Sequence, residues 1–172
     1  MGRCIDLVGA EVPYLPVVEA VRPLMAREDV RKLLRSAPEL RWLLPGVILG
    51  DERMPLRGDP PRSQLGLLEE MRALLGAVAA AEPVVLVLED LHWADRSTLD
   101  VVAFLAHNLS EQRVLLLGTY RGDELSAEHR LRGLVTGLLR AGAATRLELG
   151  LWAARTWRPC CSPAAESCSR LR

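Results

Sequence analysis

The stretch Val84-Val85-Leu86-Val87-Leu88-Glu89-Asp90 decides the fold, because five aliphatic residues run without interruption into two acids. Aliphatic side chains on both faces are typical of a strand that is buried on both faces, as parallel strands beneath helices are. We therefore predict a central parallel strand over 84–89. Its two acids would lie at the carboxyl edge of the sheet, where α/β proteins bind their ligands.

Helical periodicity precedes and follows this strand. Apolar residues recur at intervals of three and four positions, as they do on the buried face of an amphipathic helix. Asp95 is a candidate N-cap, because its carboxylate can accept from the free amides of a first helical turn. Gly142 is a natural end for the last helix. The predicted helices cover about residues 17–24, 29–36, 38–44, 64–81, 99–109 and 131–139.

Three further apolar runs are predicted to be strands. They lie near 3–8, 113–120 and 144–149, and the second of them has the same doubly buried character as 84–89. Strands that alternate with helices in this way predict a three-layer α/β domain with a mainly parallel sheet. Residues 45–63 are rich in proline and glycine and are predicted to form an exposed loop.

The charge and cysteine content exclude several classes of protein. Lys+Arg and Asp+Glu are both 22, which argues against a domain that binds polyanions over its whole surface. The cysteines neither form a secreted disulfide framework nor have the spacing of zinc ligands. There is no signal pattern and no apolar run long enough to span a membrane, so we expect a cytoplasmic protein.

Lysine content limits how this chain can bind phosphate. Lys32 is the only lysine, and it follows Arg31 with no glycine-rich turn before it. A phosphate-binding loop needs a glycine-rich turn that ends in Gly-Lys-Ser or Gly-Lys-Thr. These 172 residues therefore contain no such loop.

The regular pattern stops after Gly150. Residues 151–172 hold two of the four tryptophans and three of the four cysteines, and they show neither helical nor strand periodicity. We expect 1–150 to form the folded part and 151–172 to be a disordered tail without core contacts. An out-of-frame translation of GC-rich DNA accounts best for the composition of this tail.

Two motifs give the chain a family resemblance. Leu86-Val-Leu-Glu-Asp-Leu-His-Trp-Ala-Asp95 resembles the Walker B stretch of the AAA-like ATPase domain in large LuxR-type transcriptional regulators, which are STAND P-loop NTPases. Leu115-Leu-Leu-Gly-Thr-Tyr-Arg-Gly-Asp-Glu-Leu125 resembles the sensor strand of the same family, and 3–17 resembles the segment that follows its phosphate loop. The resemblance covers about residues 2–150.

The resemblance implies a site for ATP and Mg²⁺. Glu89 would be the acid on the Mg²⁺ side, and Asp90 would be the catalytic acid that orients the attacking water. Arg121 would point at the γ-phosphate, and we expect it to lie beside the two acids and to relieve their repulsion. Without the resemblance, we would interpret the two acids as solvated loop residues. Arg121 would then be a surface arginine that pairs with Asp123 or Glu124. His92 and Trp93 would either brace the site or simply pack beside the following helix.

Several parts of the resembling domain have no counterpart in the sequence. These are the first strand, the phosphate loop with its helix, the helical lid and the DNA-binding helix-turn-helix. We therefore expect a fragment of a regulatory ATPase domain that does not hydrolyse ATP alone and does not bind nucleic acid directly. Two alternatives stay open. One is a non-enzymatic module that self-associates or docks onto a complete ATPase protomer, and the other is the ATPase module of a nucleotide cyclase or protein kinase.

Overall fold

A computed structural model describes residues 1–4, 13–44 and 63–150 of the chain. The predictions for 5–8, for most of the 45–63 loop and for the 151–172 tail lie outside these residues. Within the described ranges, no helix has the length and apolar character needed to cross a membrane.

The sheet of the described residues has three parallel strands. β1 (Gly2–Arg3) pairs with β2 (Val84–Glu89), and β2 pairs with β3 (Val114–Gly118), so that β2 is central as predicted. The Cys4 N–H extends the first pairing by donating to the Glu89 carbonyl at 2.9 Å. The α/β class and the parallel arrangement predicted from the sequence are confirmed.

The predicted last strand near 144–149 is wrong. This segment forms no ladder with any described strand, and its Leu149 side chain is 91% exposed. An alternating pattern becomes a strand only when a neighbouring strand accepts its backbone hydrogen bonds. No described strand lies beyond β3 to do so. In this segment Arg146 forms an ion pair with Glu148, and its guanidinium lies over the Tyr120 ring.

The helices follow the predicted periodicity closely. The Asp95 carboxylate accepts from the Thr98 N–H at 3.0 Å, which confirms its role as an N-cap. Gly142 lies just beyond the last helix with a φ of +67°, a left-handed conformation that suits glycine and ends the helix there. The helices are α1 (Leu15–Val21), α2 (Glu28–Arg35), α3 (Pro38–Leu43), α4 (Gln64–Ala81), α5 (Arg96–Asn108) and α6 (Arg130–Arg140), with 3-10 turns at Arg22–Ala26 and Leu91–Trp93.

Only one face of the sheet is covered by the described residues. Leu86 and Leu88 of β2 are buried, whereas Val85 and Leu115, which are register partners, are each 59% exposed. The prediction that both strands are buried on both faces is therefore wrong.

Both crossovers, from β1 to β2 and from β2 to β3, run in the same direction across the sheet. Right-handed crossovers of one direction place their helices on the same face, so the described residues supply one helical layer. We call the other side, formed by Val85, Val87, Leu115 and Leu117, the open sheet face.

Candidate functional site

The two acids of the central strand lie where the sequence predicts them. Glu89 is the last residue of β2, and Asp90 follows it in a left-handed backbone conformation, with φ 58° and ψ 42°. Asparagine and aspartate adopt this conformation more readily than most residues. The chain turns sharply at Asp90 into the 3-10 helix Leu91–Trp93, so that both carboxylates stay at the carboxyl edge of the sheet.

Thr119 joins this turn to the end of the neighbouring strand. Its Oγ1 accepts from the Asp90 N–H at 3.1 Å, and its carbonyl accepts from the Leu91 N–H at 2.8 Å. The Thr119 N–H in turn donates to the Leu88 carbonyl at 3.0 Å. The segment that carries the acids and the loop after β3 are therefore fixed to each other by three hydrogen bonds.

Arg3, rather than Arg121, neutralises the acids. Its Nη2 lies 3.1 Å from Glu89 Oε2, and its Nε lies 3.7 Å from Asp90 Oδ2. The sequence gives no signal for this role of Arg3, because Arg3 begins the predicted strand 3–8, whereas the ligands of a parallel sheet lie at the carboxyl ends of its strands. The β1–β2 register places Arg3 opposite Glu89.

Arg121 pairs within its own loop. Its Nη1 lies 2.9 Å from Glu124 Oε1, which is the surface pair that the sequence left open as an alternative. The expectation that Arg121 would relieve the repulsion between the two acids is thus not met. Its backbone nevertheless belongs to the site, because the Arg121 N–H donates to His92 Nδ1 at 3.4 Å.

His92 links the two loops at this edge. It is buried, its Nδ1 accepts from Arg121, and its Nε2 lies 3.1 Å from Glu124 Oε2. Because Nδ1 accepts, a neutral ring would carry its proton on Nε2, which is buried and makes no hydrogen bond of good geometry even to the nearby carboxylate. The His92 carbonyl also lies 3.0 Å from Nε2 of His129, whose Nδ1 accepts from the Leu131 N–H at the start of α6. The loops after β2 and β3 and the start of α6 are therefore connected.

The surroundings of the acid pair are rich in negative charge. Burial raises the pKa of the Cys4 thiol to about 12, and the nearby carboxylates of Asp95, Asp90 and Glu19 contribute to this rise. Because the thiolate is the reactive form of cysteine, Cys4 is neutral and unreactive at physiological pH. Cys4 is a core residue, and the rise in its pKa reflects in part the negative charge of the carboxylates around it.

The carboxylates of Glu89 and Asp90 suit a magnesium ion whose remaining ligands are water molecules or phosphate oxygens. No group of three or more His, Cys, Asp or Glu side chains within 1–4, 13–44 and 63–150 has the arrangement of a metal site. Magnesium in phosphate-transfer sites takes only one or two carboxylates from the protein, and Glu89 and Asp90 supply that number. In this structure the positively charged guanidinium of Arg3 lies beside the two carboxylates. When bound, magnesium would neutralise phosphate oxygens.

A parallel sheet with acids at the carboxyl end of its central strand places them where α/β proteins bind their ligands. The family model described as AAA ATPase domain matches residues 1–117, a range that includes Glu89 and Asp90 but stops before Arg121. The chain belongs to this AAA ATPase domain family, whose members generally bind ATP and Mg²⁺. No curated protein and no solved structure matches the chain.

Proposed function

We propose that this chain is the acidic and sensor part of a regulatory ATP-binding domain, of the STAND kind found in large LuxR-type transcriptional regulators. The observation that carries the proposal is the acid pair Glu89 and Asp90 at the carboxyl end of β2, hydrogen-bonded through Thr119 to the loop after β3. In the complete domain, ATP binding and hydrolysis would switch a cytoplasmic signalling protein between closed and open states.

Each site residue has a separate role in this proposal. Glu89 would hold Mg²⁺, directly or through water, and Asp90 would orient the water that attacks the terminal phosphate. Arg121 would contact the γ-phosphate after leaving Glu124. These roles require Arg121 and the acid pair to face the same nucleotide, and the bond between Arg121 N–H and His92 supports that proximity.

The same proposal holds that these residues alone do not hydrolyse ATP. Catalysis of phosphoryl transfer depends almost entirely on positioning and on electrostatic stabilisation of the phosphates. The sole lysine, Lys32, is an exposed residue inside α2 and has no glycine-rich turn before it. The amides and the lysine that would cradle the β- and γ-phosphates are therefore lacking in the 172 residues.

Calorimetry with Mg-ATP tests this directly. We expect the chain to bind Mg-ATP no more tightly than about millimolar, or about −4 kcal/mol, because the acids provide no attraction for the triphosphate itself. Asp90→Asn and Arg121→Ala should leave this weak binding nearly unchanged. Asp123→Asn is the matched control, since it removes one charge from the same loop.

Micromolar binding of Mg-ATP would contradict the proposal if it were lost in Asp90→Asn or Arg121→Ala and retained in Asp123→Asn. Another part of the chain would then have to replace the phosphate loop. The output domain of the complete protein is also part of the proposal. A nucleotide cyclase or a protein kinase would carry the same ATPase module, whereas a transcriptional regulator fits the Leu86–Asp95 motif best.

The open sheet face favours a second candidate function, that of an interaction module that pairs with another copy of the chain. Val85 and Leu115 are each 59% exposed, and Leu117 beside them is 43% exposed. Exposed apolar residues that are contiguous on a surface mark interaction sites more often than scattered ones do. The outer edge of β3 has no partner among the described strands, so it would also offer backbone groups to a second copy.

Light scattering coupled to size-exclusion chromatography tests self-association. We expect the mass of the wild-type chain to rise towards that of a dimer with concentration, and Leu115→Lys to remain a monomer because a charge cannot be buried there without a partner. Leu65→Lys is the matched control, since Leu65 is 62% exposed on α4 and does not belong to the open sheet face. A wild-type chain that stays monomeric, or equal dimer formation by Leu115→Lys, would contradict this second function.

A further inference from the structure

The Arg3 guanidinium lies against both of the carboxylates that the proposed function assigns to the metal ion. Nε and Nη2 of Arg3 both approach Glu89 Oε2, at 3.2 and 3.1 Å, while Nε lies 3.7 Å from Asp90 Oδ2. The guanidinium therefore bridges one oxygen of each carboxylate. Among the described residues, Arg3 is the only cation that forms an ion pair with either acid.

We propose that Arg3 is a built-in competitor for the metal, so that a divalent cation binds Glu89 and Asp90 only after the Arg3 side chain has swung away. This inference rests on the proposed function, because it takes the acid pair as the metal-binding part of the site. It adds a regulatory element that the roles of Glu89, Asp90 and Arg121 do not include.

The Arg3 side chain can leave without disturbing the sheet. Its backbone is fixed on both sides, since the Arg3 N–H donates to Glu19 Oε2 at 3.3 Å and the next N–H, from Cys4, donates to the Glu89 carbonyl. The side chain itself is 62% exposed, whereas those of Glu89 and Asp90 are 24% and 29% exposed. An ion pair with such an exposed arginine contributes little to stability, so a more highly charged cation is able to displace it.

Charge supplies the competition. A divalent ion placed between the carboxylates would lie a few ångströms from the guanidinium, and the two cations would repel each other. Even with the dielectric constant of water, a guanidinium about 4 Å from a divalent ion would lower the affinity about thirtyfold, so the side chain has to move away before the ion binds. The Glu19 carboxylate, which accepts from the Arg3 N–H at 3.3 Å, would add to the attraction for the metal once the Arg3 side chain has moved away.

The test measures binding of Mn²⁺ alone, without nucleotide, to the full chain by electron paramagnetic resonance of the free ion. We expect Arg3→Gln to bind Mn²⁺ up to about fivefold more tightly than the wild type, because the wild type first has to break an exposed ion pair. Arg22→Gln is the matched control, because it removes the same charge from an exposed arginine that pairs with neither acid, and its affinity should equal that of the wild type. Adding Glu89→Gln to Arg3→Gln should abolish the gain.

Circular dichroism before each titration establishes that the variants are folded. If Arg3→Gln does not fold, Arg3→Met replaces it, since methionine retains an apolar stem. Equal Mn²⁺ affinity in the wild type and the Arg3 variant would overturn the inference, as would a gain that persists after Glu89→Gln or one that Arg22→Gln reproduces. These outcomes are distinct from failure of the proposed function, which is read from Mg-ATP binding by the wild-type chain.

Discussion

Leu88→Ala is expected to lower the free energy of unfolding by about 2–5 kcal/mol, the range for truncating a large buried aliphatic side chain. Leu88 is fully buried in the central strand, and it belongs to the face that the helices cover. Its replacement would remove apolar contacts and leave a cavity that the neighbouring strands cannot fill. Urea-induced unfolding, followed by far-ultraviolet circular dichroism, measures the change.

Leu115→Ala is the matched control for that measurement. It makes the same substitution in the neighbouring strand but on the open sheet face, where the side chain is 59% exposed. We expect it to cost less than about 1 kcal/mol, because much of the side chain is in water before the substitution. Equal losses in the two variants, measured at a concentration at which the chain is monomeric, would contradict the one-sided arrangement.

Gly2→Ala is expected to destabilise the fold by about 1–3 kcal/mol or more, as overpacking of a close contact does. A Cβ atom at Gly2 would lie 1.7 Å from the Pro16 carbonyl oxygen, which is a backbone atom that cannot rotate away. β1 and α1 would have to separate. The pairing of β1 with β2 would weaken, and Arg3 would lose its position opposite Glu89.

Gly133→Ala should change the free energy of unfolding in the opposite direction. Gly133 lies inside α6, and a Cβ there would meet no atom within 4 Å. Alanine is favoured over glycine in a helix by about 0.5–1 kcal/mol, so this variant should be slightly more stable than the wild type. The midpoints of thermal unfolding of Gly2→Ala and Gly133→Ala, compared with that of the wild type, test both predictions. A neutral Gly2→Ala beside a stabilised Gly133→Ala would show that β1 does not pack against α1 as described.

The acids of the site could be predicted from the sequence because the signal is local. Five aliphatic residues before Glu89 and Asp90 fix both the strand and its end, and the chain direction fixes the edge at which the acids lie. The partner of the acids could not be predicted in this way. Arg121 and Arg3 both lie near strand ends, and only the packed structure shows that Arg3 pairs with the acids while Arg121 pairs with Glu124.

Periodicity by itself determined the helices, the strand β2 and the cap at Asp95, since each depends on residues a few positions apart. Only the tertiary structure decided which faces of the strands are buried and whether 144–149 becomes a strand. An apolar pattern indicates which side chains of a strand are able to be buried. Their burial requires a helix packed on that face of the sheet, and pairing of the strand's backbone requires a neighbouring strand. Both are supplied by distant parts of the chain. The described residues supply helices to the face of Leu86 and Leu88, whereas Val85 and Leu115 remain exposed although their sequence pattern is the same.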